Sequence, residues 1–593
     1  MEFHVDAETG SDANDGSDGA RLRTIFAAAM RAQPGDTVTI HDGVYRERVT
    51  PPRGGTSDAE RIIYQAAPGA RPVVTGSEVF THWEHVDRGV WRLVIPNEVF
   101  GEFNPFAEEV SGDWFDPHGQ THRRGMVFLD GRGIAESRSL ADAFAEDAPG
   151  WWPTVSPTST EVVARFPAET DPNAGAVEIA LRPTVFSPVE PGIDFLTVSG
   201  LTLVNAATNW VAPTSGQEGL ITAYWSRGWI IEDSEVAWSK CVGIVLGQMH
   251  DEWDGLRGTT EGYYFSIIDA IGHGWSREAI GGHIVRNNHV HDCGEAGIAG
   301  STGCAFSLIE GNHIHDCNAL DDWGGAEMGG IKFHGAVDTV IADNHVHDNP
   351  GCTGIWLDWM AQGSRVTGNL LHHNGWQDLH IEVSHGPTFV ANNILLSETG
   401  ALFNSHGIAM AHNLVRGRVV ILDDERRTPV LEQHDTRIDR FEACPIGDAQ
   451  WLNNVLCAAD LTPYAGATAG LPLRFEGNVL GEGAAGASLD PTAIHVGILS
   501  PDLQEVGTEW HLTMPSGPER TDPWRAVVTS ATLAEAHVSG QRLTTPDGGE
   551  FVLDTDYLGR SRGQGSAFPG PFAGADTCAV TVWPKPGSSR RCR

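Results

Sequence analysis

Short apolar runs, each stopped by Asn, Gly or Asp, recur through the middle of this chain. They stand in VRNNHVHDCGEAGI (285–298), IEGNHIHDC (309–317), IADNHVHDNPGCTGI (341–355), VTGNLLHHNGWQDLHI (366–381) and VANNILLSE (390–398). The asparagines that align them are Asn288, Asn312, Asn344, Asn369, Asn393 and Asn413, spaced by 24, 32, 25, 24 and 20 residues. IIEDSEVAWSKCVGI (230–244) reads as an earlier, degenerate copy. No repeat holds the ~10 residues of 3.6-period pattern that a helix needs. The LxxLxLxxN signature of a leucine-rich horseshoe is also absent. Short strands joined by polar corners predict a parallel β-helix, one repeat to each coil.

The rest of the chain divides around this core. Residues 1–77 carry a short amphipathic helix, TIFAAAMRAQ (24–33), and the first coils, as in PGDTVTIHDGVYRERV (34–49). Such a helix can cap the apolar end of a solenoid. Over 78–192 the repeats give way to VWRLVIP, RGMVFLDGRGIAES, TEVVARFP and AVEIALRP, which predict an inserted antiparallel β-domain. The β-helix core is expected over 193–430. Residues 431–593 are expected to hold further coils and a strand-rich cap, with a last pair of strands in GGEFVLDTDYLGRSR (548–562).

The repeated Asn-His-x-His-Asp invites a metal reading. Asparagine in a coil corner, however, tolerates the left-handed region and bonds to its equivalents above and below. The expectation is an internal asparagine ladder with partly exposed histidines beside it.

Charge narrows the function. With 39 basic and 78 acidic residues, the formal charge is −39. Nucleic acid, anionic membranes and acidic polymers such as pectin are disfavoured partners. The start, MEFHVDAETGSD, shows no signal-peptide pattern, and no apolar run approaches the roughly 20 residues of a membrane span. The nine cysteines are odd in number, scattered through apolar runs and without a CxxC pair. They are expected to be reduced and buried in a cytoplasmic protein, and a zinc site is not expected.

Two acids interrupt apolar runs: Asp358 in WLDWM and Glu382 in HIEVS. Both pairs, Asp358 with Glu382 and Asn369 with Asn393, are 24 residues apart, so the acids occupy one position in successive coils. Aligning GIKFH (330–334) and GIAGS (297–301) extends the column to Ser301, His334, Asp358 and Glu382. Neighbouring strands lie about 4.8 Å apart, which suits the ~5–5.5 Å of a retaining glycosidase pair. Like charges so close push one pKa up, as an acid beside a nucleophile requires. The coil between Asn312 and Asn344 is longer than the others and holds DDWGGAEMGG (321–330). Glu327 and Trp323 there are candidates to wall a pocket over the column.

GGAEMGGIKFH, GIWLDWMAQGSRV, DLHIEVSHGP, HDGVYRERVTPPRGG and FNPFAEEVSGDWFD together resemble glycoside hydrolase family 120, the β-xylosidases, over residues 3–415. The resemblance implies an all-β fold, a right-handed parallel β-helix interrupted by an inserted β-sandwich. It implies retention, with Asp358 as nucleophile and Glu382 as acid/base, no catalytic metal or other cofactor, and a homotetramer. SH at 384–385 departs mildly from the NH of many relatives, and the expected substrate-binding residues are Glu327, His334, Trp359, His385 and Trp114. Trp114 and Trp359 are candidate stacking platforms for a terminal sugar. The expected activity is exo-acting release of xylose from xylo-oligosaccharides. A pectin-directed enzyme is the alternative. GHG at 272–274 precedes Asp321–Asp322, RIK is missing, and the column contains no Arg or Lys, all against it. A non-catalytic carbohydrate-binding solenoid would need no aligned acid pair.

Overall fold

The structure is a computed structural model that describes residues 1–593 except 146–147, 176, 249–257, 515–526, 564–567, 575–578 and 586–593. It contains two compact units: Met1–Ile267, Asn288–Gly303 and Asp316–Met328 in the first; Ile268–Asn287, Cys304–His315 and Gly329–Arg593 in the second.

The first unit opens on the expected helix, Ile25–Ala29, whose N-cap Thr24 accepts from the Ala27 N–H at 3.1 Å. Parallel strands then build coils: Ile62–Ala66 pairs with Leu196–Ser199, and Val73–Thr75 with Thr202–Ala206. Both pairings join consecutive coils, although about 130 residues separate the partners in sequence. Between them lies the insertion, eight strands from Ser77–Val79 to Val177–Ala180 in one order. Leu93, Ile95, Val127, Trp151, Val162, Val177 and Ile179 share one core, so the sheet closes on itself as a sandwich. Val90–Pro96 is the VWRLVIP strand as read. The helix Thr260–Gly272 was not foreseen: its exposed face carries the apolar Phe265 and Ile268, so no clean polar stripe reveals a helical period.

In the second unit the coils contribute strands to three parallel sheets, and the coils after Arg418–Ile421 to two of them. One sheet carries Gly329–His334, Thr353–Asp358, Leu379–Glu382, Thr399–Asn404 and Arg418–Ile421 in order. Ile331, Phe333, Ile355, Leu357, Leu379, Ile381, Ala401 and Phe403 are buried at alternate positions and fill the interior. The intervening residues face outward. A hairpin of Asp424–Leu431 and Ile438–Cys444 follows.

The asparagine ladder is present and longer than expected. Asn312, Asn344, Asn369, Asn393, Asn413, Asn454 and Asn478 form a series in which each backbone N–H and Nδ2 donates to the next Oδ1 at 2.9–3.0 Å. Every member is buried. In the first unit Ser234 stands at the corresponding corner, and its N–H donates to Asn288. Asn369→Ala strands the Asn344 donors and the Ile341 carbonyl, both buried. We expect it to lower the unfolding free energy by about 3 kcal/mol, measured as a denaturation midpoint against wild type.

Two expectations need correction. His345, His347 and His372 are buried rather than partly exposed, because the sheet of Asp502–Val506, Glu509–Thr513 and Val580–Trp583 lays Trp510 and Trp583 over them. The strand pair expected over 548–562 is irregular backbone with isolated bridges, Thr544 to Glu550 and Thr555 to Ser561. Gly548 and Gly559 turn the chain there at positive φ, while Phe551 and Leu553 pack on Phe389 and its neighbours. The seven described cysteines are buried thiols outside any disulfide; Cys578 and Cys592 lie outside the described residues. Among the described residues no helix is long and apolar enough to cross a membrane.

Candidate active site

Strand register brings the two acids together. His334 pairs with Asp358, and Leu357 pairs with Ile381 on the next strand, so the same offset sets Asp358 opposite Glu382. Glu382 in turn pairs with Asn404. The second unit thus presents an outward column of His334, Asp358, Glu382 and Asn404. Two residues back along the same strands runs a parallel column, Lys332, Trp356 and His380. Both columns are nearly closed to solvent.

Each acid has its own set of donors. Lys332 Nζ donates to Asp358 Oδ2 at 2.9 Å, and the Trp359 N–H to Oδ1 at 2.8 Å. His334 Nε2 lies 3.7 Å from Oδ2. Glu382 accepts from Trp356 Nε1 at 3.1 Å through Oε2 and from the Arg426 guanidinium through Oε1. Arg426 also spans Asp424, with Nε at 3.0 Å from Oδ1 and a terminal nitrogen at 2.7 Å from Oδ2. Lys332 Nζ sits 3.2 Å from the centre of the Trp356 ring, a cation–π contact, and the His380 ring stacks on the same indole at 4.8 Å between centroids.

The two carboxyls therefore differ in charge. Burial alone pushes the Asp358 carboxyl up, but the Lys332 ammonium, His334 and the hydrogen bonds overcome it and hold the group well below the ordinary carboxylate range. Glu382 goes the other way: burial, then the Asp358 charge, raise it against the pull of Lys332 and Arg426. Burial lowers His380 to about 3, so it is neutral beside them.

The other expected residues are spread out. His334 is in the column. Trp359 is buried beside Asp358, and its carbonyl accepts from the Gly335 N–H at 2.8 Å. His385 is buried among Thr428, His406 and Cys444. Ser301, Trp114 and Glu327 belong to the first unit. There Trp114 and Glu327 are near neighbours: Phe115 pairs with Gly325, and the Ala326 N–H donates to the Trp114 carbonyl. Trp323 is buried against Phe115 and His122.

Sequence reasoning missed Lys332, His380, Asp424 and Arg426. The column indeed has no Lys or Arg, yet Lys332 stands in the next one and touches Asp358. Period-2 alternation within GIKFH contained that signal, since a residue two before His334 shares its face. Nothing local marks Arg426, which arrives from the hairpin 44 residues after Glu382.

A charged carboxylate set against a second one inclined to keep its proton, on adjoining strands, is the equipment of a glycoside hydrolase. Residues 80–150 match the model of the glycoside hydrolase 120 insertion domain, and 221–417 match that of the right-handed β-helix region. Among solved structures, the complex of XylC with xylose is 33% identical, with a TM-score of 0.93, covering 98% of this chain and 100% of XylC. The chain belongs to glycoside hydrolase family 120. A second glycoside hydrolase structure is 13% identical with a TM-score of 0.46, over 71% of this chain and 94% of its own. The family 136 lacto-N-biosidase from Eubacterium ramulus is 13% identical with a TM-score of 0.39, over 84% and 67%. No curated protein sequence matches the chain.

Proposed function

We propose that this enzyme is a retaining, exo-acting β-1,4-xylosidase that releases xylose from xylo-oligosaccharides. The observation that carries the reading is the opposed charge of the in-register pair, Asp358 ionised and Glu382 raised. The xylose in the XylC complex supports the sugar. Asp358 attacks the anomeric carbon while Glu382 gives its proton to the leaving oxygen. Forming the glycosyl ester removes the Asp358 charge, one of the two causes that raise Glu382. Glu382 then falls toward the ordinary range, and its carboxylate takes a proton from the incoming water. Strands about 4.8 Å apart leave no room for a water between the acids, so attack by the carboxylate is favoured over inversion. His334 and Trp359 border the reacting centre and are proposed to contact the sugar. The protein is further proposed to be a cytoplasmic homotetramer, with light scattering to count its subunits.

Proton NMR of the first product from a β-xyloside should show β-xylose; α-xylose would sink the mechanism. Glu382→Ala should cost about 10²–10⁴-fold on xylobiose and far less on 4-nitrophenyl xyloside, whose leaving group needs no proton. Added azide should then give β-xylosyl azide. Equal losses on both substrates, with no azide product, would assign the acid elsewhere.

A further inference from the structure

Behind the acid column, three buried side chains converge: His385 and His406 at adjoining corners of the β-helix, and Cys444 at the end of the hairpin. His385 Nδ1 lies 3.4 Å from His406 Nδ1 and 3.9 Å from Cys444 Sγ. One ligand atom from each lies within 4.8 Å of the other two. His406 Nε2 is 2.6 Å from the Pro445 carbonyl, which can only accept, so Nε2 carries the proton. His385 Nε2 is 2.9 Å from Thr428 Oγ1, whose single proton already goes to the Val383 carbonyl at 2.7 Å. When Thr428 keeps that bond, its oxygen accepts from His385 Nε2, and His385 Nδ1 is left as an acceptor.

In that arrangement both Nδ1 atoms are lone pairs facing each other. Two lone pairs at this distance repel; a cation between them turns the repulsion into bonding. Tetrahedral zinc, with bonds of about 2.0–2.1 Å to nitrogen and about 2.3 Å to sulfur, sets ligand atoms roughly 3.3–3.6 Å apart. The observed 3.4 and 3.9 Å are close to that. The partner on the far nitrogen of each ring is what a metal-ligating histidine has.

We propose that His385 Nδ1, His406 Nδ1 and Cys444 Sγ form a site for a divalent transition ion of borderline softness, zinc being the best fit, completed by a water. Binding deprotonates the Cys444 thiol, and one proton leaves to solvent. The ion ties the corner just after Glu382 to the hairpin that carries Asp424 and Arg426. It is a structural clip that holds the Arg426 guanidinium on Glu382, and His385 is a ligand rather than a sugar contact.

The test uses the full chain, stripped with a chelator and titrated with Co²⁺. Wild type should develop the near-ultraviolet thiolate-to-Co²⁺ absorption, and Zn²⁺ should abolish it. Cys444→Ala should lack that absorption and bind one ion fewer per chain. Thr428→Val, which touches no ion, should weaken Co²⁺ binding about 10–100-fold by releasing the His385 tautomer. The imidazoles of His313, His345 and His347 also lie close enough to share an ion but include no sulfur, so they give no such band. Absence of the band in wild type at saturating Co²⁺, or equal ion counts in wild type and Cys444→Ala, would overturn the proposal. The wild-type titration decides even if a variant fails to fold.

Discussion

Asp358→Asn should lower kcat/KM on β-xylosides by about 10⁴-fold or more, because an amide cannot form the glycosyl ester. Shape is nearly conserved, so xylose binding should survive, measurable as a Kd by calorimetry. The substitution also leaves the buried Lys332 ammonium without its counter-ion, which sits 2.9 Å away in the native protein. A buried charge left without its partner is costly, so some stability is lost along with activity. Circular dichroism separates the two effects: a folded variant with a few per cent of native turnover would exclude Asp358 as nucleophile.

Lys332→Met should act on the same carboxylate from the other side. The thioether side chain fills a similar volume but carries no charge, so burial raises Asp358 with nothing left to oppose it except His334 and the Trp359 N–H. The acidic limb of the kcat/KM profile should move upward in pH, and turnover near neutrality should fall. Stability should drop by about 3–5 kcal/mol at neutral pH, the cost of breaking a buried pair by removing one partner. The sign follows from linkage. Asp358 is depressed in the folded protein, so its pairing stabilises above the unfolded value of about 3.9 and is lost as pH falls through the lower folded value. The gap between wild type and Lys332→Met should therefore narrow in acid. An unmoved acidic limb would show that another group holds Asp358 ionised.

Much of the site was readable because a β-helix converts sequence spacing into height. Equal 24-residue steps for the asparagines and the acids meant equal positions on neighbouring coils, and the register bears this out for His334, Asp358 and Glu382. The same arithmetic found the asparagine ladder but stopped at Asn413, since the next step to Asn454 is 41 residues and includes the hairpin. Lys332 lies two residues before His334 on the same strand, so period-2 alternation puts it on the face of the acid column.

By itself, then, the sequence determined the coils, their register, the inserted β-domain and the pairing of Asp358 with Glu382. These follow from alternation and repeat length, which act between residues close in the chain or one coil apart. Tertiary structure alone decided which acid stays charged, since that depends on Lys332 reaching Asp358 and Arg426 reaching Glu382. It also decided that Trp510 and Trp583 bury the histidines of the repeats, and that His385, His406 and Cys444 meet although 59 residues separate the first from the last. Contacts of that kind are set by where a hairpin or a distant sheet docks, and no local period records it. A carboxyl's charge is a property of the solvent and charges around it, so it exists only once those parts are in place.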